Sequence, residues 1–458
     1  MRSIWAVAIN TVKQAFRLKI AAVFVILLIV LLPIMGFSMT GDGTAQGRLQ
    51  AFVSYGLSLT SLLLCLFTII VSVYSLTNDI KQKQIYMVLT KPIRRFELIF
   101  GKLLGVVILD IALLTVFSVL IYTIVIYTPR LSGASAEETA QLKNEFYTAR
   151  ASLTPGEVDV AGEVEKLYQK LDESGQLEQM YKGIRRANII AELTRRVKLR
   201  RRAAAPGQEL IWEFRDVKPL SKDESLFIRF KYEVSVNPPD LHVYSAWAAG
   251  DYRQVHSGKI ETPIETFERK DLIRTFHEIE VSANVVAEDG FLSISFLNVP
   301  QLNNTVVIFP PDDGLEVLYK ADTFGSNFIK AVFLILFRLV FLACLGLMAS
   351  SFLSMPVAIL LCLLIFFTGT ISGFIIESFE YLSKDISLLY SYTVGPMVKL
   401  LPQFDKFNPT KFLVSGRLLS WSLFARVGAV MVCIKSVLLL LLALLFFSYR
   451  EIAKAVIR

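Results

Sequence analysis

Six long apolar runs, at about 20–39, 52–76, 103–127, 328–348, 356–376 and 427–447, constrain this chain more than any other feature. Each is near the roughly 20 residues that an α-helix needs to cross a bilayer. Hydrocarbon cannot satisfy backbone polar groups, so such runs resolve as helices with their hydrogen bonds closed internally. The first run is too long for a signal-peptide core and lacks a small-residue cleavage pattern, so it reads as a retained span. A composition of 54% hydrophobic and 19% charged residues agrees with an integral membrane protein that carries a sizeable polar part.

Charge then sets the expected topology. Residues 77–102, between the second and third runs, carry six cations (Lys81, Lys83, Lys91, Arg94, Arg95, Lys102) against Asp79 and Glu97. Positive-inside bias places this stretch in the cytoplasm. Ile85, Val88 and Leu89 fall on one helical face, and Pro92 suits the first turn of a following helix, so the stretch predicts a short interfacial helix and an elbow. Residues 1–19 repeat the sign with Arg2, Lys13, Arg17 and Lys19 and no acid. Trp5, Ala8, Ile9, Val12 and Phe16 form one stripe of an interfacial helix there. Six spans return the chain to its starting side, and Arg450, Lys454 and Arg458 against Glu451 agree with a cytoplasmic C-terminus. The net charge of +8 is concentrated beside the spans, where anionic lipid rather than nucleic acid is its natural partner.

The same count puts 128–326 outside, as one insertion between the third and fourth spans. Residues 134–205, rich in Glu, Lys, Arg, Gln and Leu, predict two or three helices with turns at Thr154-Pro155-Gly156 and Glu173-Ser174-Gly175. Their end is densely cationic (Arg195, Arg196, Lys198, Arg200, Arg201, Arg202), which reads either as a solvated face or as a contact for phosphate-bearing lipid or surface polymer. From 208 to 310 the period changes to two. Residues 228–236 and 292–296 alternate strictly, and 211–214, 241–247, 264–267, 276–285 and 305–309 are further candidate strands. Short strands at this spacing predict a β-sandwich.

The loop 377–426 carries a basic bias that is wrong for an outer segment, so it predicts either a re-entrant piece around 386–401 or a different span count. Three ionisable residues fall inside spans: Asp110, Arg338 and Lys435. Such groups are costly in hydrocarbon and face a partner or a wet cavity. An Asp110–Arg338 ion pair between neighbouring helices is the structural expectation, with Lys435 snorkelling to the outer interface.

Catalytic chemistry is not legible. There is no Gly-x-x-x-x-Gly-Lys-Ser/Thr run to cradle phosphate, no nucleophile motif, and the three histidines (His242, His256, His277) have no metal-ligand spacing. All four cysteines lie in predicted spans, so no disulfide is expected in the polar part. No catalytic residue, metal or resident cofactor is predicted.

A basic elbow after the second of six spans resembles the ABC-2 type permeases, the membrane subunits of ATP-driven exporters. The matching residues are Asp79, then Leu89-Thr90-Lys91-Pro92-Ile93-Arg94-Arg95, then Gly101-Lys102. Leu401-Pro402-Gln403-Phe404-Asp405-Lys406-Phe407-Asn408 is similar to a segment before the last span in relatives of the permease used in nitrous-oxide-reductase maturation, and Tyr449-Arg450-Glu451 to their closing tail. Lys83-Gln84 departs from the Gly-Thr that many members carry. The resemblance implies an α-helical membrane protein with six transmembrane helices plus an extracytoplasmic α+β insertion. It also implies residence in a cell inner or plasma membrane and a pairing with a second permease copy or a related permease. It makes 77–102 a coupling helix seated on an ABC ATPase subunit, two copies of which would bring ATP and Mg. Asp79, Ile85, Val88, Leu89, Pro92, Arg94, Arg95 and Lys102 are its coupling residues. An outer partner would dock through 128–326. The competing expectations are a membrane-anchored sensor or binding protein with a β-sandwich ligand domain, and an ion-driven transporter using Asp110.

Overall fold

The computed structural model describes residues 2–39, 41, 44–82, 94–131, 138, 142, 146–156, 159–181, 186–221, 224–254, 261–300, 302–311, 313–380, 402–405 and 407–449. The chain divides into two compact units, one formed by Met1–Thr148 with Phe324–Arg458 and the other by Ala149–Thr323.

The first unit is helical. Its elements are α1 (Arg2–Phe16), α2 (Lys19–Ser38), α3 (Ala45–Lys81) and α4 (Arg95–Leu131), followed after the insertion by α8 (Phe324–Phe352), α9 (Met355–Glu380) and the short α10 (Pro409–Val414). The last span runs through α11 (Trp421–Gly428), a π-helical stretch (Ala429–Ser436) and α12 (Val437–Tyr449). Five helices are long and apolar enough to cross a membrane: α3, α4, α8, α9 and the run Trp421–Ser448. The apolar stretch described in α2, Ala22–Gly36, is shorter. Large apolar side chains are exposed along α2 (Val23, Ile26, Val30), α9 (Leu360, Leu364, Phe374) and α12 (Leu438, Leu441, Leu445). Water would not tolerate such continuous faces, and a bilayer does. Between the helices one core collects Leu57, Leu64, Phe117, Ile121, Leu339 and Leu342.

Within this unit α1 lies against α4. Its buried residues are Ala8, Thr11 and Ala15, whereas Trp5, Ile9 and Phe16 of the expected stripe are exposed. The reason is the spacing of small residues on α4. A Cβ on Gly101 would lie 2.7 Å from Val7 Cβ, and one on Gly105 would lie 2.7 Å from the Ala8 carbonyl oxygen. Gly101-x-x-x-Gly105 therefore lets two backbones approach, as small-residue pairs do between membrane helices.

The second unit is α+β, with α5 (Ala161–Glu173), α6 (Gln176–Met180) and α7 (Arg186–Arg201) preceding most of its strands. These are β1 (Thr148–Leu153), β2 (Ala203–Ala204), β3 (Glu209–Phe214), β4 (Ser225–Phe230), β5 (Glu233–Val234), β6 (His242–Gly250), β7 (Glu265–Leu272), β8 (His277–Ser282), β9 (Leu292–Asn298), β10 (Val307–Ile308) and β11 (Leu315–Thr323). Two four-stranded sheets, β1-β11-β4-β8 and β3-β9-β6-β7, flank one core, and a small sheet β2-β10-β5 completes the set. Leu226, Ile228, Phe230 and Val317 from one sheet meet Trp247, Ile294 and Phe296 from the other. The core is a sandwich interior.

Two boundaries differ from the sequence expectation. Strand β1 lies inside the region expected to be helical, and β11 lies beyond 310; both join the sheet of β4. The expected single strand over 228–236 is broken, because Lys231 and Tyr232 leave β4 before β5 turns into the small sheet. The turn expected at Glu173-Ser174-Gly175 forms, with Gly175 at φ +70 between α5 and α6. On the sandwich surface Arg253 joins two loops, donating to Asp251 at 2.8 and 2.9 Å and to Asp289 at 2.9 and 3.1 Å. Hydrogen bonds from that guanidinium hold both carboxyls below the usual aspartate range.

Candidate functional site at the elbow

Of the coupling residues expected from sequence, Ile85, Val88, Leu89 and Pro92 lie outside the described residues, as do Lys83-Gln84. Asp79, Arg94, Arg95 and Lys102 are described, and they flank the elbow on both sides. Asp79 sits in the last turn of α3, and Lys102 two turns into α4.

These two meet. Lys102 Nζ is 2.5 Å from Asp79 Oδ2, with the lysine side chain 1% exposed and the aspartate 9%. The ammonium also donates to the Ser75 carbonyl at 2.5 Å, and Gln14 of α1 donates through Nε2 to Asp79 Oδ1 at 2.9 Å. Three helices thus share one buried polar knot. Both arms of the elbow are fixed to each other through it, and α1 is fixed to both. Opposite charges so placed stabilise one another strongly in a low-dielectric setting, but only as a pair.

The exit of the elbow has its own anchors. Arg94 donates its backbone N–H to Glu97 Oε2 at 3.1 Å, which is half of a capping box at the start of α4. Arg95 Nη1 donates to the Ser448 carbonyl at 2.7 Å and the Phe447 carbonyl at 3.4 Å. A cation on the last carbonyls of a helix satisfies orphan acceptors and complements the helix dipole. The elbow's second arm is therefore tied to α12 as well.

Residues 5–143 match the family model of the ABC-2 family transporter protein. The match covers α1 to α4, including both elbow arms and the knot between them, and is less than half of the chain. It supports an ABC-2 type permease, a multi-pass membrane transport component that is not itself catalytic; such permeases normally work with an ATPase subunit. Comparison with curated proteins and with solved structures finds no match.

The intramembrane ionisable residues do not assemble. Asp110 and Arg338 form no ion pair. Asp110, fully buried, accepts from Thr68 Oγ1 at 2.8 Å, and its Oδ2 has no hydrogen-bond partner. Arg338 instead donates to Ser61 Oγ at 3.3 Å and to the Phe404 carbonyl at 3.1 Å, and lies over the Phe404 ring at 4.9 Å. Lys435 falls in the π-helical stretch and is half-buried. The carbonyl that competes for Arg338 could not be placed from sequence, because it comes from the loop before the last span.

That loop reaches the middle of two helices. Phe404 donates its N–H to the Gly369 carbonyl at 2.9 Å, Ser372 donates to Asp405 Oδ1 at 2.6 Å, and Phe404 packs edge-on to Phe341 at 6.0 Å. Gly369 makes room, since a Cβ there would lie 2.5 Å from the Pro402 carbonyl oxygen. The expected re-entrant piece, around 386–401, lies outside the described residues. A cavity of about 450 Å³ opens between α4 and α8, lined by Leu114, Ser118, Tyr122, Phe328, Val332 and Leu336. Ser118 Oγ is buried there without a hydrogen-bond partner. No group of three metal-ligating side chains occurs among the described residues. His242 and His277 lie in the second unit, and His256 lies outside the described residues.

Proposed function

We propose that this chain is the permease subunit of an ABC exporter, in which residues 77–102 receive force from a separate ATPase and pass it to the membrane helices. The observation that carries the reading is the buried Asp79–Lys102 pair with Gln14, because it joins α3, α4 and α1 where the elbow leaves and re-enters the bundle. A displacement of the elbow then moves those helices as one lever rather than bending a loop. Such rigid-body transmission is how packed elements turn a small local movement into a larger one. Arg95, holding the end of α12, extends the lever to the last span.

In this reading the elbow, both termini and the knot face the cytoplasm of an inner or plasma membrane, and the second unit faces outward. The permease works as a pair, with a second copy or a related permease, and each copy engages one ATPase that binds ATP and Mg. The apolar cavity between α4 and α8, with its lone buried hydroxyl, favours an amphipathic substrate entering from the bilayer. The loop 402–405, beside the middle of α8 and α9, braces these two helices through Phe404.

The test is reconstitution. The chain in proteoliposomes should hydrolyse no ATP above background, and transport should begin only when the ATPase that co-purifies with it from native membranes is added. Full transport by the chain alone would sink the assignment.

A further inference from the structure

We infer that the second unit carries a binding site for an anionic sugar, in the cleft between the end of α7 and strand β3. The site stands in the external unit and does not depend on the transport reading.

Six cations crowd the end of α7, more than the one or two that a helix C-terminus needs to satisfy its carbonyls. The structure sorts them. Lys198, Arg201 and Arg202, at i, i+3 and i+4, line a cleft of about 440 Å³, whereas Arg195, Arg196 and Arg200 are exposed and outside its lining. None of the described lining residues is acidic. The two arginines of the cleft are held in place. Arg201 donates through Nε and Nη2 to Glu163 Oε2 at 3.0 and 2.9 Å, and Arg202 through Nη1 to the Pro311 carbonyl at 2.8 Å. Guanidinium groups fixed in this way are preorganised for a carboxylate, sulfate or phosphate.

The rest of the lining is largely apolar. Ile211 is 53% exposed although it sits on a strand, and it adjoins Pro311 in the lining, whereas its strand neighbour Trp212 turns into the sandwich core. A bare anion gains nothing from such a surface. A ring with an apolar C–H face and a pendant anionic group satisfies both sides at once, which is the pattern of pockets that combine apolar walls with a few placed polar groups. The occupant is therefore an acidic carbohydrate.

The experiment uses the full chain in nanodiscs and a fluorescent heparin-derived tetrasaccharide as probe. Lys198→Gln with Arg201→Gln should weaken binding at least tenfold, and Arg195→Gln with Arg196→Gln less than threefold. Neutral maltotetraose should not compete, and inorganic phosphate should compete only at much higher concentration. Because Arg201 also holds Glu163, Lys198→Glu alone gives a second test that leaves that pair intact, and it should likewise cost at least tenfold. Equal losses from both double variants would reduce the effect to diffuse charge and overturn the site. Competition by maltotetraose, or by phosphate as effectively as by the sugar, would overturn it too. So would binding seen in phosphatidylcholine discs and blocked in phosphatidylglycerol discs, which would give the cleft to lipid headgroups.

Discussion

At the scale of residues, the buried pair Asp79–Lys102 decides how the elbow is held. Removing one partner leaves the other charged and without its counter-ion, at a cost of about 3–5 kcal/mol, whereas replacing both by apolar residues is often neutral. Asp79→Ala should therefore lower the detergent-solubilised protein's melting temperature clearly, and Asp79→Leu with Lys102→Met should recover most of the loss. Equal destabilisation by single and double variants would show that the pair is not what holds the arms. Both residues stood out in the sequence as elbow residues, but their contact did not, because 23 positions separate them and no periodicity reports a meeting of two helices. Gln14 carried no signal at all. Asp110 and Arg338 show the converse: two opposite charges in neighbouring spans suggested a pair, and the Phe404 carbonyl, supplied from far along the chain, took the arginine instead.

At the scale of elements, the Gly101 and Gly105 spacing sets how closely α1 approaches α4. Gly105→Leu should force the helices apart, with an overpacking cost of about 1–3 kcal/mol, and should expose Thr11. A cysteine at position 11 in a Cys-free background would report this by faster alkylation; an unchanged rate would contradict it. Neither glycine signalled this contact in the sequence, where Gly101 figured only in the Gly101-Lys102 pair, and the apolar stripe of Trp5, Ile9 and Phe16 is exposed rather than packed on α4. Strand positions were legible where one face is buried, as in Ile228 and Phe230, and illegible in β1, whose short run lacks strict alternation. In the sandwich, Arg253 lowers the titration range of Asp251 and Asp289. Their contribution to stability is complete above about pH 4, the unfolded aspartate value, and fades as pH falls through the folded values. Arg253→Gln should thus move acid unfolding of the full chain to higher pH, followed by tryptophan fluorescence. An unmoved midpoint would remove the bridge from the stability of this unit.

At the scale of the whole molecule, hydropathy and charge laid out a membrane unit interrupted by a polar one over 128–326, and the second compact unit of the structure is Ala149–Thr323, so the expected first boundary lies well before the structural one. Long apolar runs are legible because a bilayer selects on composition alone. Partner, substrate and direction of transport are not, since they depend on surfaces that meet other molecules. The elbow's role is the central claim, and one measurement reaches it most directly: affinity capture of the full chain from native membranes, wild type beside Val88→Pro, with the captured ATPase quantified by mass spectrometry. The wild type should bring down an ABC ATPase in near-equal amount, and the proline variant should lose it while remaining folded and membrane-inserted. Undiminished ATPase with Val88→Pro, or none with the wild type, would contradict the claim.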